Sequence, residues 1–272
     1  MNSESLRARL KVIAKDSNRT FMELFQKLTF ERFLARVGNS KARENLIFKG
    51  GLCLQQYVET GRETKDIDFL LKDIEGNSEN VEKIFQQVCE VDLEDFFEFS
   101  RSSVAKLEVG HKQYPGYRIK IDVSFGKMKN RLQIDIGIGD VVDEFKIELG
   151  VLEYRGRPLL GGSVEILAYP PEFIFSEKLQ AIIELKTLNS RMKDYFDCYM
   201  LINNNILDYE KTKRAIEETF SRRKTNFQPI DDFSEQLGPS WTQFYNKVNQ
   251  GPKEIGQVIY EINKFLKNLS QH

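Results

Sequence analysis

Two neighbouring segments constrain the fold of this 272-residue chain more than any other feature. YRIKIDVSFG (117–126) and NRLQIDIGIG (130–139) both alternate apolar and polar residues and are rich in Ile and Val. Such alternation is typical of half-buried β-strands, and the intervening GKMKN (126–130) suits a tight turn. The sequence therefore predicts two paired antiparallel strands.

In most of the remaining chain, apolar residues recur at helical spacing. Residues 5–37 predict two amphipathic helices, residues 80–91 another, and the chain from Pro171 onward is helical with a loop near 228–240. LIF (46–48) and DIDFLLK (66–72) add strands. Because consecutive prolines at 170 and 171 interrupt the pattern, we expect a mixed-sheet domain with N-terminal helices over residues 1–168 and a helical domain over 169–272. The fold class is α+β.

Composition limits the kind of protein this chain can be and the kind of functional site it can contain. With 40% hydrophobic residues and a net charge of -1, the chain is globular, and its length allows a large core. The three cysteines are far apart in sequence and fit neither a disulfide framework nor a CxxC zinc site. With two histidines in the sequence, a His-based zinc centre or catalytic triad is not expected. No segment is long and apolar enough to span a membrane or serve as a signal peptide, so the expected location is the cytoplasm.

Charge is distributed unevenly along the chain. Residues 1–50 hold 11 basic and 5 acidic side chains, whereas residues 51–100 hold 4 basic and 13 acidic ones. An acidic block beside a basic one suits a metal-assisted phosphate site, although two solvated helix faces explain the same pattern. A second basic cluster at 211–224 is partly neutralised by glutamates.

The acidic block contains a pattern suited to a divalent cation. Asp66 and Asp68 lie two apart in a predicted strand, so both project from the same face. If the QIDIGIGD strand lies beside DIDF, Asp135 adds a third carboxylate, with Asp122 and Asp140 as rival third acids. Hard oxygen clusters prefer Mg²⁺ or Mn²⁺ held jointly with substrate phosphates. A DxD pair alone is weak evidence, since surface acids often show it.

The residues before this strand suit a phosphate. Gly50 and Gly51 follow a predicted strand, and their amides at the start of a helix can hold phosphate oxygens. Arg62 adds a fork of donors and Thr64 a hydroxyl. An ordinary strand-to-helix turn with a surface arginine is the alternative interpretation.

The combination of KGGL (49–52) with RETKDIDF (62–69) resembles the signature of the nucleotidyltransferase superfamily. More specifically, the chain resembles the AbiEii toxin family of type IV toxin–antitoxin systems, which includes the MenT toxins. The likeness covers residues 6–202 and extends through five further segments: ERFLARVGNS (31–40), QIDIGIGD (133–140), AYPPE (168–172), SEKLQA (176–181) and NSRMKDYFD (189–197).

The resemblance implies a nucleotidyltransferase fold, a small mixed sheet flanked by helices with a helical C-terminal part. It also implies transfer of a nucleotide from an NTP with release of pyrophosphate, and characterised relatives modify the 3′ end of tRNA. Gly50 and Gly51 would then seat the phosphates, Thr64 stands where the family usually has Ser, and Asp66 and Asp68 would bind Mg²⁺.

The same resemblance assigns roles in the C-terminal part. Lys178 occupies the lysine of the family's AEKL motif and would hold the triphosphate. Asp194 matches the aspartate of the RxxDxxD segment, as a partner for Lys178 or a base for an RNA hydroxyl, with Arg191, Lys193 and Asp197 around it. Ser176 in place of Ala, and Lys193 in place of a common Arg, are small departures.

The leading hypothesis is a metal-dependent nucleotidyltransferase toxin acting on RNA, with tRNA as the expected acceptor and a cognate antitoxin as a candidate partner. Transfer to a protein or a small molecule is one alternative, and a non-catalytic protein that binds NTP or RNA is another. The basic N-terminal helices distinguish the first two, since neutralising Arg7, Arg9, Lys11 and Arg19 would weaken an RNA enzyme and leave a small-molecule enzyme nearly unchanged. Asp68→Asn distinguishes an enzyme from a non-catalytic binding protein.

Overall fold

The computed structural model describes residues 2–107, 116–139, 142–188 and 191–269. The helices are α1 (Ser3–Ser17), α2 (Phe21–Asn39), α3 (Gly50–Leu54), α4 (Ser78–Cys89), α5 (Pro171–Leu185), α6 (Met192–Asn203), α7 (Tyr209–Arg222), α8 (Ser234–Val248) and α9 (Ile255–Leu269), with a 3₁₀ turn at Lys186–Leu188. The strands are β1 (Leu46–Lys49), β2 (Asp66–Leu71), β3 (Glu98–Leu107), β4 (Gly116–Phe125), β5 (Met128–Ile138), β6 (Phe145–Leu149), β7 (Glu153–Tyr154), β8 (Arg157–Pro158) and β9 (Val164–Ala168). Among these helices, none combines the length and apolar character that crossing a bilayer requires.

Seven strands form one mixed sheet in the order β3-β4-β5-β2-β1-β9-β6, and β7 and β8 form a separate two-stranded ribbon. Strands β4 and β5 pair antiparallel, as predicted, with Phe125 opposite Met128 next to the turn. Strand β2 pairs parallel to β5 and antiparallel to β1. The predicted α+β class with a mixed sheet is confirmed.

The chain divides into two compact units. The first comprises the residues up to Leu52 together with Lys65–Ala168, and the second comprises Cys53–Thr64 together with the chain from Tyr169 onward. The second unit therefore includes a short segment from the N-terminal half, which the predicted domains 1–168 and 169–272 do not anticipate. Those domain limits stay a prediction.

In the first unit, helices α2 and α4 pack against the apolar face of the sheet. Phe33 of α2 stacks on Phe85 of α4, and Phe85 meets Phe69 of β2 edge-on. Because side chains alternate along a strand, Asp66 and Asp68 lie on the face opposite Phe69. Helix α1 packs on α2 through buried Leu6 and Leu10.

Two buried arginines of α2 are held by one carboxylate. Arg36 donates to both oxygens of Asp95, at 2.7 and 3.0 Å, and Arg32 Nε donates to Asp95 Oδ2 at 2.7 Å. Arg36 also donates to the Phe97 carbonyl at 2.9 Å. All three charged side chains are at most 4% exposed, so the loop before β3 is fixed to α2 by charge as well as by packing.

The second unit is helical, as expected, and the predicted loop near 228–240 is present in its first half only. Residues 228–233 lie in no helix or strand, as predicted, whereas Gly238 and Pro239, which ordinarily break helices, do not extend this loop. In the structure α8 begins at Ser234 and runs through both residues. The buried Trp241 accounts for this, since its indole donates to the Pro252 carbonyl at 3.2 Å and its ring packs on Phe244. Tertiary packing here outweighs the local helix breakers.

We expect Asp95→Asn to lower the free energy of unfolding by about 3–5 kcal/mol, because it leaves two buried guanidinium groups without a full counter-charge. Urea unfolding measures the change. Glu165→Gln, which removes a carboxylate from the exposed pair with Lys146, is the control and is expected to cost less than about 1 kcal/mol. Equal effects of the two substitutions would contradict the structural role of Asp95.

Candidate active site

The first unit positions the predicted glycines and carboxylates around the start of α3. Strand β1 ends at Lys49, and α3 begins at Gly50 with a φ of 73°. A Cβ at Gly50 would overlap the carboxylate of Asp68. Glycine is required there both by the left-handed backbone and by the close approach of Asp68.

The predicted neighbour of the DIDF strand is present. Strand β5 lies beside β2 in parallel register, with Asp68 opposite Asp135 and Asp66 opposite Gln133. Gln133 Nε2 donates to Asp66 Oδ1 at 2.8 Å. Three of the predicted acids therefore share one face of the sheet on two adjacent strands.

Asp135 has a cationic partner that the sequence interpretation did not include. Arg118 of β4 lies opposite Asp135 in the antiparallel pair, and its Nε and Nη2 donate to the two carboxylate oxygens at 2.8 and 2.7 Å. This hydrogen-bonded pair raises the pKa of Arg118, with further contributions from Asp66 and Asp68. Together, Lys49, Asp68, Asp135 and Arg118 form a row in register across four strands, here called the charged row.

The rival third acids are not equivalent to Asp135. Asp122 lies opposite Arg131 and accepts from its Nε at 2.6 Å, and Asp140 lies outside the described residues. Within the described part of the chain, no three His, Cys, Asp or Glu side chains converge closely enough to form a metal site by themselves. The observed donor set, hard carboxylates side by side with Gly50 against them, fits an ion that takes its other ligands from phosphates and water.

The second unit brings the other predicted site residues together. Lys178 Nζ, on α5, donates a hydrogen bond to Asp194 Oδ1 at 3.0 Å and lies 2.8 Å from Asp197 Oδ2. Both aspartates are on α6, three residues apart on the same helix face, and are at most 1% exposed. Arg191 Nε lies 3.2 Å from Asp194 Oδ2.

Asp197 is the centre of this group, which we call the Lys178 cluster: Arg62, Lys178, Asp194 and Asp197. Arg62 Nε and Nη2 donate to the two oxygens of Asp197 at 2.8 and 2.7 Å, and Nη1 donates to Thr64 Oγ1 at 3.2 Å. Gln55 holds the same loop by donating to the Arg62 carbonyl at 2.8 Å. The sequence interpretation placed Asp197 beside Asp194 in the site but did not include Gln55.

Burial and neighbouring charges shift the pKa values of this cluster in opposite directions. Burial alone would lower the pKa of Lys178, but the Asp197 and Asp194 carboxylates raise it above its ordinary value. Burial alone would raise the pKa of Asp197, but Lys178 and Arg62 hold it below its ordinary value. Lys178 and Asp197 are therefore both charged at neutral pH. Three cations, Arg62, Lys178 and Arg191, surround two carboxylates, and the exposed Lys193 lies nearby on α6.

We expect Asp197→Asn to lower the free energy of unfolding by about 3 kcal/mol, because Arg62 and Lys178 lose their shared buried counter-charge. Because folding lowers the pKa of Asp197, the wild type exceeds Asp197→Asn by the full difference in unfolding free energy above about pH 4. This difference disappears as the pH falls below that value. Urea unfolding at several pH values measures the difference. Asp208→Asn, which exchanges one good N-cap of α7 for another, is the matched control and is expected to be neutral.

Gly50→Ala is expected to cost about 1–2 kcal/mol, because alanine is strained at a positive φ and its methyl group displaces Asp68. Gly162→Ala serves as the control, since a Cβ at Gly162 meets nothing within 4 Å. Thermal unfolding compares the two. Equal stability of both variants would contradict the close approach of Gly50 to Asp68.

Comparison with solved structures shows that the fold is shared. JHP933 from Helicobacter pylori matches with a TM-score of 0.50 and 13% identity, over 93% of both chains. A second H. pylori protein, provisionally described as a nucleotidyltransferase, matches with a TM-score of 0.48 and 13% identity, over 93% of this chain and 96% of that one.

An antigenic nucleotidyltransferase-like protein from Paracoccidioides brasiliensis has a TM-score of 0.37 and 14% identity, over 87% of this chain and 94% of that one. Among curated proteins, none is significantly similar to the chain. Residues 32–267 match the family described as "Nucleotidyl transferase AbiEii toxin, Type IV TA system". This match spans both compact units and most of the chain, which therefore belongs to the AbiEii family of nucleotidyltransferase toxins.

Proposed function

We propose that the protein transfers a nucleotide from an NTP to the 3′ end of an RNA, with tRNA as the proposed acceptor, in a reaction that needs Mg²⁺ or Mn²⁺. The observation that carries the proposal is the side-by-side placement of Asp68 and Asp135 on one sheet face, with Gly50 against Asp68. Membership of the family supports nucleotidyl transfer, whereas the metal and the RNA acceptor are parts of the proposal.

The carboxylates supply the ligands for the metal. Asp66 and Asp68 would hold it, with Asp135 as the third acid. Mg²⁺ commonly binds through one or two carboxylates together with substrate phosphates and water, which agrees with this donor set. When bound, the ion would neutralise charge on the phosphates of the NTP.

We assign binding of the NTP phosphates to the Lys178 cluster and to Gly50 and Gly51. Lys178 and Arg62 have N–H groups beyond those that Asp194 and Asp197 use, and the cations around the cluster outnumber its carboxylates. Such a surplus attracts a polyanion. Gly50 and Gly51 at the start of α3, the Thr64 hydroxyl, Arg191 and Lys193 are the further groups that we assign to the nucleotide.

The transfer forms one bond and breaks one. The hydroxyl oxygen of the acceptor attacks the α-phosphorus, the bond from that phosphorus to the bridging oxygen breaks, pyrophosphate leaves, and the hydroxyl proton passes to solvent. Charge develops on the phosphoryl oxygens, where fixed cations stabilise it. Asp194 has two candidate roles, as a partner that holds Lys178 or as a base for the RNA hydroxyl. Its contacts with Lys178 and Arg191 support the first role, because cationic neighbours make a carboxylate a weaker base.

Helix α1 is the proposed contact with RNA. Leu6 and Leu10 are buried, whereas Arg7, Lys11 and Arg19 are exposed, so the helix and the turn after it present positive charge to solvent. Phosphate contacts of this kind supply most of the sequence-independent affinity for nucleic acid. An antitoxin partner follows from the type IV toxin–antitoxin family, and the cytoplasmic location stays a prediction.

The test is incubation of the purified protein with Mg²⁺, each α-³²P-labelled NTP in turn and total tRNA, followed by gel separation of RNA and protein. We expect label on tRNA, and a loss of more than about 100-fold in Asp68→Asn, because the variant removes a metal ligand. Glu165→Gln, an exposed carboxylate on β9, is the control and is expected to retain activity.

The other outcomes are also informative. Label on protein alone would move the acceptor to a polypeptide, and no label anywhere would contradict RNA transfer and favour a small-molecule acceptor or a binding protein. Loss of label in Asp122→Asn, with activity retained in Asp135→Asn, would make Asp122 the third acid.

A further inference from the structure

Asp135 occupies a distinct position in the charged row. On one side it faces Asp68 of β2, and on the other it faces Arg118 of β4. Neighbouring strands are about 4.8 Å apart, so the two carboxylates repel each other unless a cation shares their charge. In this structure Arg118 supplies that cation by donating to both oxygens of Asp135.

The hydrogen bonds to Asp135 set the strength of this competition. Asp135 accepts two charge-assisted hydrogen bonds from the planar guanidinium of Arg118, a strong arrangement for a carboxylate. A divalent ion that binds Asp135 must compete with this guanidinium for the same two oxygens.

This pair is more exposed to water than the ion pairs of the Lys178 cluster. The Arg118 side chain is 38% exposed and that of Asp135 is 22% exposed. By contrast, Lys178 and Asp197 in the Lys178 cluster are 11% and 0% exposed. A partly exposed ion pair with bidentate geometry contributes about 1 kcal/mol, so a bound cation can displace it, whereas breaking a buried pair costs several times more.

We propose that Arg118 is a positioning residue that orients Asp135 and competes with the divalent cation for its carboxylate. Asp135 becomes a metal ligand only when Arg118 gives up at least one of its two hydrogen bonds. This inference rests on the proposed function, because it takes Asp66 and Asp68 as the metal ligands.

The experiment measures Mn²⁺ binding to the full chain without nucleotide or RNA, using the electron paramagnetic resonance signal of free Mn²⁺. Arg118→Met is expected to tighten binding about three- to fivefold, because Asp135 is released from an ion pair of this strength. Arg131→Met is the matched control, since Arg131 of β5 forms an exposed ion pair with Asp122 on the same face of the sheet. It is expected to change the affinity less than about twofold.

A double variant tests whether the effect passes through Asp135. On an Asp135→Asn background, Arg118→Met is expected to leave the Mn²⁺ affinity unchanged. Arg118→Lys, which keeps the charge but loses the fork, is expected to tighten binding about twofold. It also provides the measurement if Arg118→Met unfolds, which circular dichroism would show.

Three results would overturn the inference: no gain in affinity in the Arg118 variants, an equal gain in Arg131→Met, or the same gain on the Asp135→Asn background. Absence of Mn²⁺ binding in both the wild type and Arg118→Met would also overturn it. Because the titration contains no NTP and no RNA, its result is independent of label transfer to tRNA. Loss of the transfer reaction alone would count against the proposed function only.

Discussion

The placement of Asp66 and Asp68 relative to Asp135 depends on the register of β2 against β5. Pairing of Ile67 with Ile134 and of Phe69 with Ile136 buries four apolar side chains on the helix-covered face. A slip of one residue would exchange the two faces of a strand and bury its aspartates, so the apolar core holds the register. The same register places Asp68 beside Asp135. The geometry of the polar face is thus a consequence of packing on the opposite side.

Charged groups are held in two different ways in this protein. In the interior, Asp95 holds two arginines of α2, and Asp197 holds Arg62 and Lys178, with almost no exposure to water. Because desolvated charges cannot be separated cheaply, these groups keep one arrangement. Arg118 and Asp135, by contrast, are paired on the polar face of the sheet, where water can replace either partner. Fixed groups suit the anchoring of phosphates, and exchangeable ones suit a ligand that arrives with the substrate.

Regular periodicity made much of the fold predictable, including the β4–β5 pair, β2 and most helices. Strand β3 was missed because EFSRSSVAKL has no clean alternation, and β9 because it is short and joins β1 through a single register pair. The pairing of Arg118 with Asp135 was within reach of the sequence, since a two-residue turn at Gly126 and Lys127 sets that register. The bond from Arg62 to Asp197 joins residues 135 apart, and no local pattern indicates such a contact.

The segment Cys53–Thr64 has a consequence for any attempt to divide the protein. The polypeptide passes from one compact unit to the other three times, after Leu52, after Thr64 and after Ala168. A fragment ending at Ala168 would carry Arg62 without Asp197, and a fragment beginning at Tyr169 would carry Asp197 and Lys178 without Arg62. Neither fragment would contain the complete Lys178 cluster. We therefore expect an insertion or a proteolytic cut within residues 53–64 to disturb the helical unit, although this segment is more than 100 residues before Tyr169 in the chain.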